Sequence, residues 1–219
     1  MNALWTLAAL LTGYLIGSLS FAVIISRGMG LADPRSYGSR NPGATNVLRS
    51  GNKAAAVLTL AFDALKGYVP VLLALIYGPR FGLTENTAAF VGLAAFVGHL
   101  WPVFFRFHGG KGVATAAGVL LAINPWLGLA TLLSWVIIAA FFRYSSLASL
   151  VAALFAPFYQ ALIWGPDLSL LAIGVMSLLL IWRHEGNIKK LLAGTESRLG
   201  GKAAEARAVP RGKHKRGQH

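Results

Sequence analysis

The first 26 residues carry no charged side chain. That run exceeds the roughly 20 apolar residues a helix needs to cross a bilayer, so the expectation is a chain that begins with a segment made for lipid. The pattern recurs along the sequence. Apolar runs occupy Leu4 to about Ile25, Ala54–Gly78, Asn86–Phe105, Gly112–Phe142, Tyr144–Trp164 and Leu168–Trp182. Only 12% of the 219 residues are charged, against about 25% in a soluble domain. The deficit points to a membrane solvent. The leading run lacks the basic region that opens a signal peptide, and it reads as a retained transmembrane helix. With no cysteine in the chain, disulfides, thiolate metal sites and a cysteine nucleophile are excluded.

Gly112–Phe142 is 31 residues without a charge. As one helix it would reach about 46 Å at 1.5 Å per residue, against a hydrocarbon core of about 30 Å. The Asn-Pro within Ile123–Trp126 is a turn signal, which makes a hairpin of two short helices the alternative. Charge chooses between them. In the hairpin reading one side receives loop 26–53, loop 106–111, Arg143 and the tail from Arg183, together 18 of the 20 Lys and Arg residues. The other side has Arg80 with Glu85 and Asp167, while Lys66 lies inside a span. Six spans would put the tail opposite loop 26–53, against the positive-inside rule. The expectation is an all-α polytopic membrane protein of seven transmembrane helices, N-terminus out and C-terminus in. Residues 1–196 form the membrane domain, and 197–219 a basic, disordered cytoplasmic tail.

Three segments interrupt the apolar pattern, and this topology puts all of them on the cytoplasmic side. "YGSRNPGATNVLR" (Tyr37–Arg49) offers Ser39, Thr45 and Asn46 as donors, Thr45 or Asn46 also as the cap of the helix entering the second span, and Arg49 as a bidentate fork for phosphate or carboxylate. A polar loop leading into a capped helix is the simpler reading. In "HGGKGVAT" (His108–Thr115), Gly109, Gly110 and Gly112 let backbone N–H groups converge on an anion near a helix start, and Lys111 adds a compact charge. The P-loop spacing is absent, and a tight basic turn explains the segment equally well. "RHEGNIKKLLAGTE" (Arg183–Glu196) brings His184 and Asn187. Within the spans, Asp63 and Lys66 at i, i+3 share a helix face; they form a structural ion pair or serve a function. His99 lies just inside the membrane, where a titratable imidazole suits proton transfer but is also a common interfacial residue.

Taken together and in this order, "GSRNPGATNVLR", "DALKG" (Asp63–Gly67), "GHLWPVFFRFHGGKGVAT" and "RHEGNIKKLLAGTE" resemble the bacterial acyl-phosphate:glycerol-3-phosphate acyltransferase family, from the first span to about Glu196. Arg40 and His108 stand where the resemblance leads one to expect Gly and Lys, and Lys190 where Arg is usual. The pattern HxxxxD of many other glycerolipid acyltransferases is missing.

The resemblance implies transfer of an acyl chain from acyl phosphate to the 1-hydroxyl of glycerol 3-phosphate, giving lysophosphatidic acid and phosphate for phospholipid biosynthesis. It implies a multi-pass protein of the bacterial inner membrane with its site at the cytoplasmic face, no cofactor, no metal and no nucleic-acid partner. Membrane lipids and the peripheral enzyme that makes acyl phosphate are the expected neighbours. By the same analogy Arg49 and Lys111 bind phosphate, Gly109–Gly112 cradle it, and Thr45 or Asn46 contribute. Ser39 and His184 orient the glycerol hydroxyl, and Asn187 holds a phosphate or His184. Arg143 and Ser146 sit at the same face, with Asp63, Lys66 and His99 as pocket or structural residues. The competing class is a small anion transporter using Asp63 and Lys66 at the midplane; a structural membrane protein with a lipid-binding tail leaves the three loops unexplained.

Overall fold

The computed structural model describes residues 3–200, and every regular element among them is helical. In chain order these are α1 (Ala3–Gly17), α2 (Phe21–Gly28), α3 (Ala44–Val47), α4 (Lys53–Tyr77), α5 (Glu85–Leu100), α6 (Val113–Ile123), α7 (Pro125–Phe142), α8 (Ser145–Ile163), α9 (Leu168–Arg183) and α10 (Glu185–Leu192). The expected basic tail falls outside the described residues from position 201 onward.

Helix starts follow local chemistry. Asn52 caps α4 by accepting from Ala55 N–H. Thr84 forms a capping box with Thr87 at the head of α5. Asn124 accepts from Trp126 N–H with Pro125 at the first position of α7, and Asp167 accepts from Leu170 N–H at the start of α9. Each cap satisfies an N–H that helix geometry leaves unpaired.

Packing is inverted relative to a soluble bundle. Large apolar side chains such as Phe141, Leu133 and Leu178 are exposed, while Ala55, Ala95, Ala148 and Ala172 are buried. Small residues let backbones approach where hydrocarbon supplies no contrast with leucine. A Cβ on Gly17 would collide with the Ala95 backbone, and one on Gly98 with Tyr14 and Ser18, so α1 lies directly on α5. Gly67 and Gly118 do the same for α4 and α6.

Four helical stretches, Lys53–Phe81 and Glu85–Phe105 (α4 and α5 with the short turns that follow them), Pro125–Phe142 (α7) and Ser145–Ile163 (α8), are long and apolar enough to cross a membrane, or up to six spans if the bent pairs α1–α2 and α9–α10 each count as one. The first expected span is therefore broken: α1 and α2 meet at 42°. Lys66 Nζ donates to the Leu19 carbonyl in that break at 2.7 Å, satisfying an oxygen the interrupted helix leaves bare. At Asn124 the chain reverses, since a Cβ on Gly128 would lie 2.6 Å from Leu121 Cα. The expected hairpin is unequal. α6, at 11 residues, is about 16 Å long, half of a hydrocarbon core of about 30 Å.

Candidate active site

The loop before α4 is folded around one side chain. Asn46 is buried; its Nδ2 donates to the carbonyls of Pro34 (2.6 Å) and Tyr37 (3.2 Å), and its Oδ1 accepts from Ser39 N–H (3.0 Å). Expected at the ligand, Asn46 instead has its whole amide engaged in shaping the loop. Arg49 lies one helical turn later and donates to Asn46 Oδ1 (3.4 Å) and Ser197 Oγ (2.9 Å). Ser39 and Thr45 are exposed at the same loop. Arg40 holds φ +57°, a left-handed conformation that glycine adopts without strain, which is a physical reason for the glycine expected there.

The second loop turns by unexpected means. Arg106 and Phe107 are left-handed (φ 55° and 60°), as is Gly112 (φ 83°), whereas Gly109 and Gly110 are not. Those two glycines are needed for close approach. A Cβ on Gly110 would meet the His99 ring and lie 3.0 Å from the Pro42 carbonyl of the first loop. Gly110 N–H donates to the His99 carbonyl (3.1 Å), so this amide is already engaged within the protein. Arg183 donates through Nε to the Gly110 carbonyl (3.1 Å) and through Nη2 to that of Gly109 (3.0 Å). At Gly112 the chain enters α6, which has no side-chain cap; its first N–H groups lack intrahelical acceptors.

The loop delivers Lys111 to α10, where its Nζ donates to Asn187 Oδ1. Asn187 Nδ2 donates to Glu196 Oε1 (2.7 Å), which also accepts from Ser146 Oγ (2.8 Å). Burial, partly opposed by Glu196 and reinforced by Lys190, Arg183 and Arg49, lowers the Lys111 pKa from 10.5 to about 8. His184, at the bend between α9 and α10, is buried, and its Nδ1 faces the Leu180 carbonyl at 2.8 Å. A carbonyl only accepts, so Nδ1 carries the proton and Nε2 is left as an acceptor. Burial is the main cause of a His184 pKa lowered to about 4; the Leu180 bond opposes it and Lys111 adds to it. The imidazole is neutral at physiological pH.

The segment after α10 closes this group. Besides Glu196 and Ser197, Leu199 exchanges two bonds with Arg143: its N–H donates to the Arg143 carbonyl (2.6 Å), and its carbonyl accepts from Arg143 Nη2 (2.9 Å). The strap continues past Glu196 at least to Leu199. Glu196 and Arg183 were missed from sequence. The signal was present for Glu196, one of four acids among the segments that hold 18 basic residues.

Asp63 and Lys66 make no hydrogen bond to Arg49, Lys111, His184 or Asn187; they form a buried pair beneath the cluster, 2.7 Å between Oδ1 and Nζ. A separate cavity of about 540 Å³, lined by Glu85, Asn124, Gln160 and Asp167 among others, lies among the opposite helix ends and contains no residue of the three segments.

The chain matches the family model described as glycerol-3-phosphate acyltransferase over residues 7–194. It is 66% identical over 192 residues to a protein of Janthinobacterium sp. (strain Marseille), covering 88% of this chain and 96% of that one. It is 66% identical over 200 residues to one of Paraburkholderia phytofirmans, covering 91% and 94%. Both relatives are named glycerol-3-phosphate acyltransferase. Among solved structures it is similar to PlsY (YgiH), an integral membrane glycerol 3-phosphate acyltransferase. The glycerol 3-phosphate form has a TM-score of 0.83 at 42% identity, over 89% of this chain and 96% of that one. The lysophosphatidic acid form has 0.80 at 40%, over 89% and 95%. A match spanning nearly all of the helical domain, at two-thirds identity to named relatives, leaves one conclusion: the chain belongs to the glycerol-3-phosphate acyltransferase family.

Proposed function

We propose that this protein transfers an acyl chain from acyl phosphate to the 1-hydroxyl of glycerol 3-phosphate, at the cytoplasmic face of a bacterial inner membrane. The observation that carries it is the convergence of Arg49, Lys111, His184 and Asn187, from three distant segments, at one end of a lipid-adapted bundle. Two phosphates must be held where an apolar chain meets a water-soluble acceptor, and a concentration of Arg and Lys beside apolar helices suits that.

The glycerol oxygen attacks the acyl carbonyl carbon, and the bond from that carbon to the phosphate oxygen breaks. Inorganic phosphate leaves with the electron pair, so the enzyme needs no covalent nucleophile. Arg49 and Lys111 neutralise charge on the phosphates, with the first turn of α6 as a further anion contact. His184 Nε2 accepts from the attacking hydroxyl and orients it. With a pKa of about 4 it is a weak proton acceptor. His184 therefore holds that proton only in the hydrogen bond that orients the hydroxyl; as the new C–O bond forms, the proton turns from Nε2 to a basic phosphate oxygen of the substrate, whose second ionisation lies at about 6. Ser39 and Thr45 are exposed at the loop edge, in reach of the glycerol moiety. The enzyme that supplies acyl phosphate docks at this same face.

The deciding experiment supplies acyl phosphate, acyl-CoA and acyl carrier protein as rival donors to purified protein in bilayers. Phosphate release that depends on both acyl phosphate and glycerol 3-phosphate is the expected result; turnover with a thioester donor alone overturns the donor. We also propose seven crossings, counting the bent pair α1–α2 as one, the short α6 as one and α9 as the last, with α10 beyond it on the cytoplasmic side. Because the chain has no cysteine, single cysteines at Gly82 and Gly201 report cleanly: labelling from opposite sides is expected, and same-side labelling removes this topology. A transporter is disfavoured because Lys66 is engaged by Asp63 and Leu19 and so is not presented to a passing anion.

A further inference from the structure

Beneath the candidate site lies a buried polar contact that the reaction as proposed does not use. Asp63 on α4, His99 in the last turn of α5 and Thr115 in the first turn of α6 meet there, all buried. Thr115 Oγ1 donates to the Asp63 carbonyl (2.9 Å) and stands 3.2 Å from His99 Nδ1. Asp63 Oδ1 is 3.8 Å from the same nitrogen. A hydroxyl has one proton, and Thr115's is committed to Asp63, so towards the ring its oxygen can only accept. His99 Nδ1 is therefore the protonated nitrogen, and the nearby carboxylate favours the same tautomer.

This fixes the ring's other edge. Nε2 faces Gly110 so closely that a Cβ there would strike it, while the His99 carbonyl receives Gly110 N–H. One residue thus grips Gly110 twice, through main chain and ring, as Arg183 holds the carbonyls of Gly109 and Gly110 from the other side. The next residue is Lys111, which meets Asn187 on the helix that follows His184. The path from the buried contact to the cationic centre is only these two residues long.

We propose that His99 is a positioning residue for acyl transfer: held at Nδ1 by Thr115, which Asp63 anchors through its carbonyl, its imidazole sets where the Gly109–Gly110 backbone sits and hence where Lys111 stands relative to His184 and Asn187. This rests on the assignment of Lys111 to phosphate under the proposed function. Shortening the side chain leaves a gap under Gly110 into which the loop settles, and a displacement of about 1 Å costs about 10²-fold in rate.

The test measures kcat and KM for glycerol 3-phosphate in full-length protein in bilayers, with whichever donor the parent uses, alongside Tm and the pH–rate profile. His99→Ala is expected to lose about 10²-fold in kcat/KM while the shape of the pH profile is unchanged, because His99 exchanges no proton with substrate. Thr115→Val, which removes the hydroxyl, loses activity in the same way; Thr115→Ser stays near the parent. The double variant His99→Ala/Thr115→Val falls short of the product of the two single losses, since both act on the one ring, although Thr115→Val also gives up the bond to the Asp63 carbonyl. His99→Asn, whose amide nitrogen can replace Nδ1, recovers part of the loss.

Folded His99→Ala with parental kcat and KM overturns the inference, and so do losses at His99 and Thr115 that multiply. Should His99→Ala not fold, the Thr115 pair decides, and equal activity of Val and Ser overturns it. Lys111→Ala separates the two levels. Parental activity there sinks the phosphate assignment, whereas loss at Lys111 with none at His99 sinks only the positioning role.

Discussion

Lys111 and Asn187, far apart in the chain, meet at the basic end of the bundle, and Asn187 passes the contact on to Glu196 at 2.7 Å. An ammonium, an amide and a carboxylate in series form a bridge between the α5–α6 loop and the strap after α10. Half-buried, Lys111 is held where its charge is costly and therefore responsive to pH and to anions.

The first prediction concerns that charge. With its pKa lowered from 10.5 to about 8, Lys111 is cationic below about pH 8 and loses its charge as pH rises through that value. kcat/KM for glycerol 3-phosphate is expected to fall above about pH 8, and Lys111→Arg should abolish this alkaline limb because guanidinium stays protonated. Lys111→Ala should lose about 10²–10³-fold in kcat, as for removal of one donor to a developing anion.

The same shift has a stability sign. Between about pH 8 and 10.5 the unfolded chain binds more protons at Lys111 than the folded one, so folding stability rises with pH across that window. Below pH 8 the penalty is fully present. Lys111→Met is therefore expected to be inactive yet to melt at or above the parental temperature at pH 7, and differential scanning in detergent reads both pH dependences.

For His184, two acid limbs are possible and only one is expected. If the imidazole takes the proton, activity falls near pH 4; if the substrate phosphate does, it falls near its own ionisation at about 6. We expect the limb at about 6, still present in His184→Asn, which keeps a donor towards Leu180 but loses about 10²-fold in kcat because the attacking hydroxyl is no longer oriented. A parental profile flat to pH 5 would assign the proton to His184.

Glu196 raises the Lys111 pKa. Glu196→Gln keeps an acceptor for Ser146 and Asn187 but removes the charge, so the alkaline limb should move to lower pH with little change in the rate at its plateau. An unmoved limb would mean that Glu196 does not sense Lys111 in the working enzyme.

Helix packing offers an independent check. A Cβ on Gly98 collides with Tyr14 and Ser18; Gly98→Val should cost about 1–3 kcal/mol or more by overpacking, seen as a lower Tm in detergent, with Gly174→Ala as control because nothing lies near that position.

Much of this was legible in the residues. The uncharged runs, the reversal at Asn124 and the order of the three segments depend on hydropathy and turn chemistry, which are local properties. The break between α1 and α2 was not legible: Ser18–Ser20 are as compatible with a continued helix, and only Lys66 reaching Leu19 from another element makes the free carbonyl tolerable. Asn46 is a second case, since a polar amide in a loop looks the same whether it faces a ligand or, as here, organises the loop. The roles of Gly110, His99 and Glu196 are set by contacts between residues distant in sequence. Composition and spacing determined that this chain is made for a membrane and carries three polar segments between its apolar runs; which backbone touches which ring was decided only by tertiary packing, because close approach is a property of two surfaces and neither segment encodes it alone.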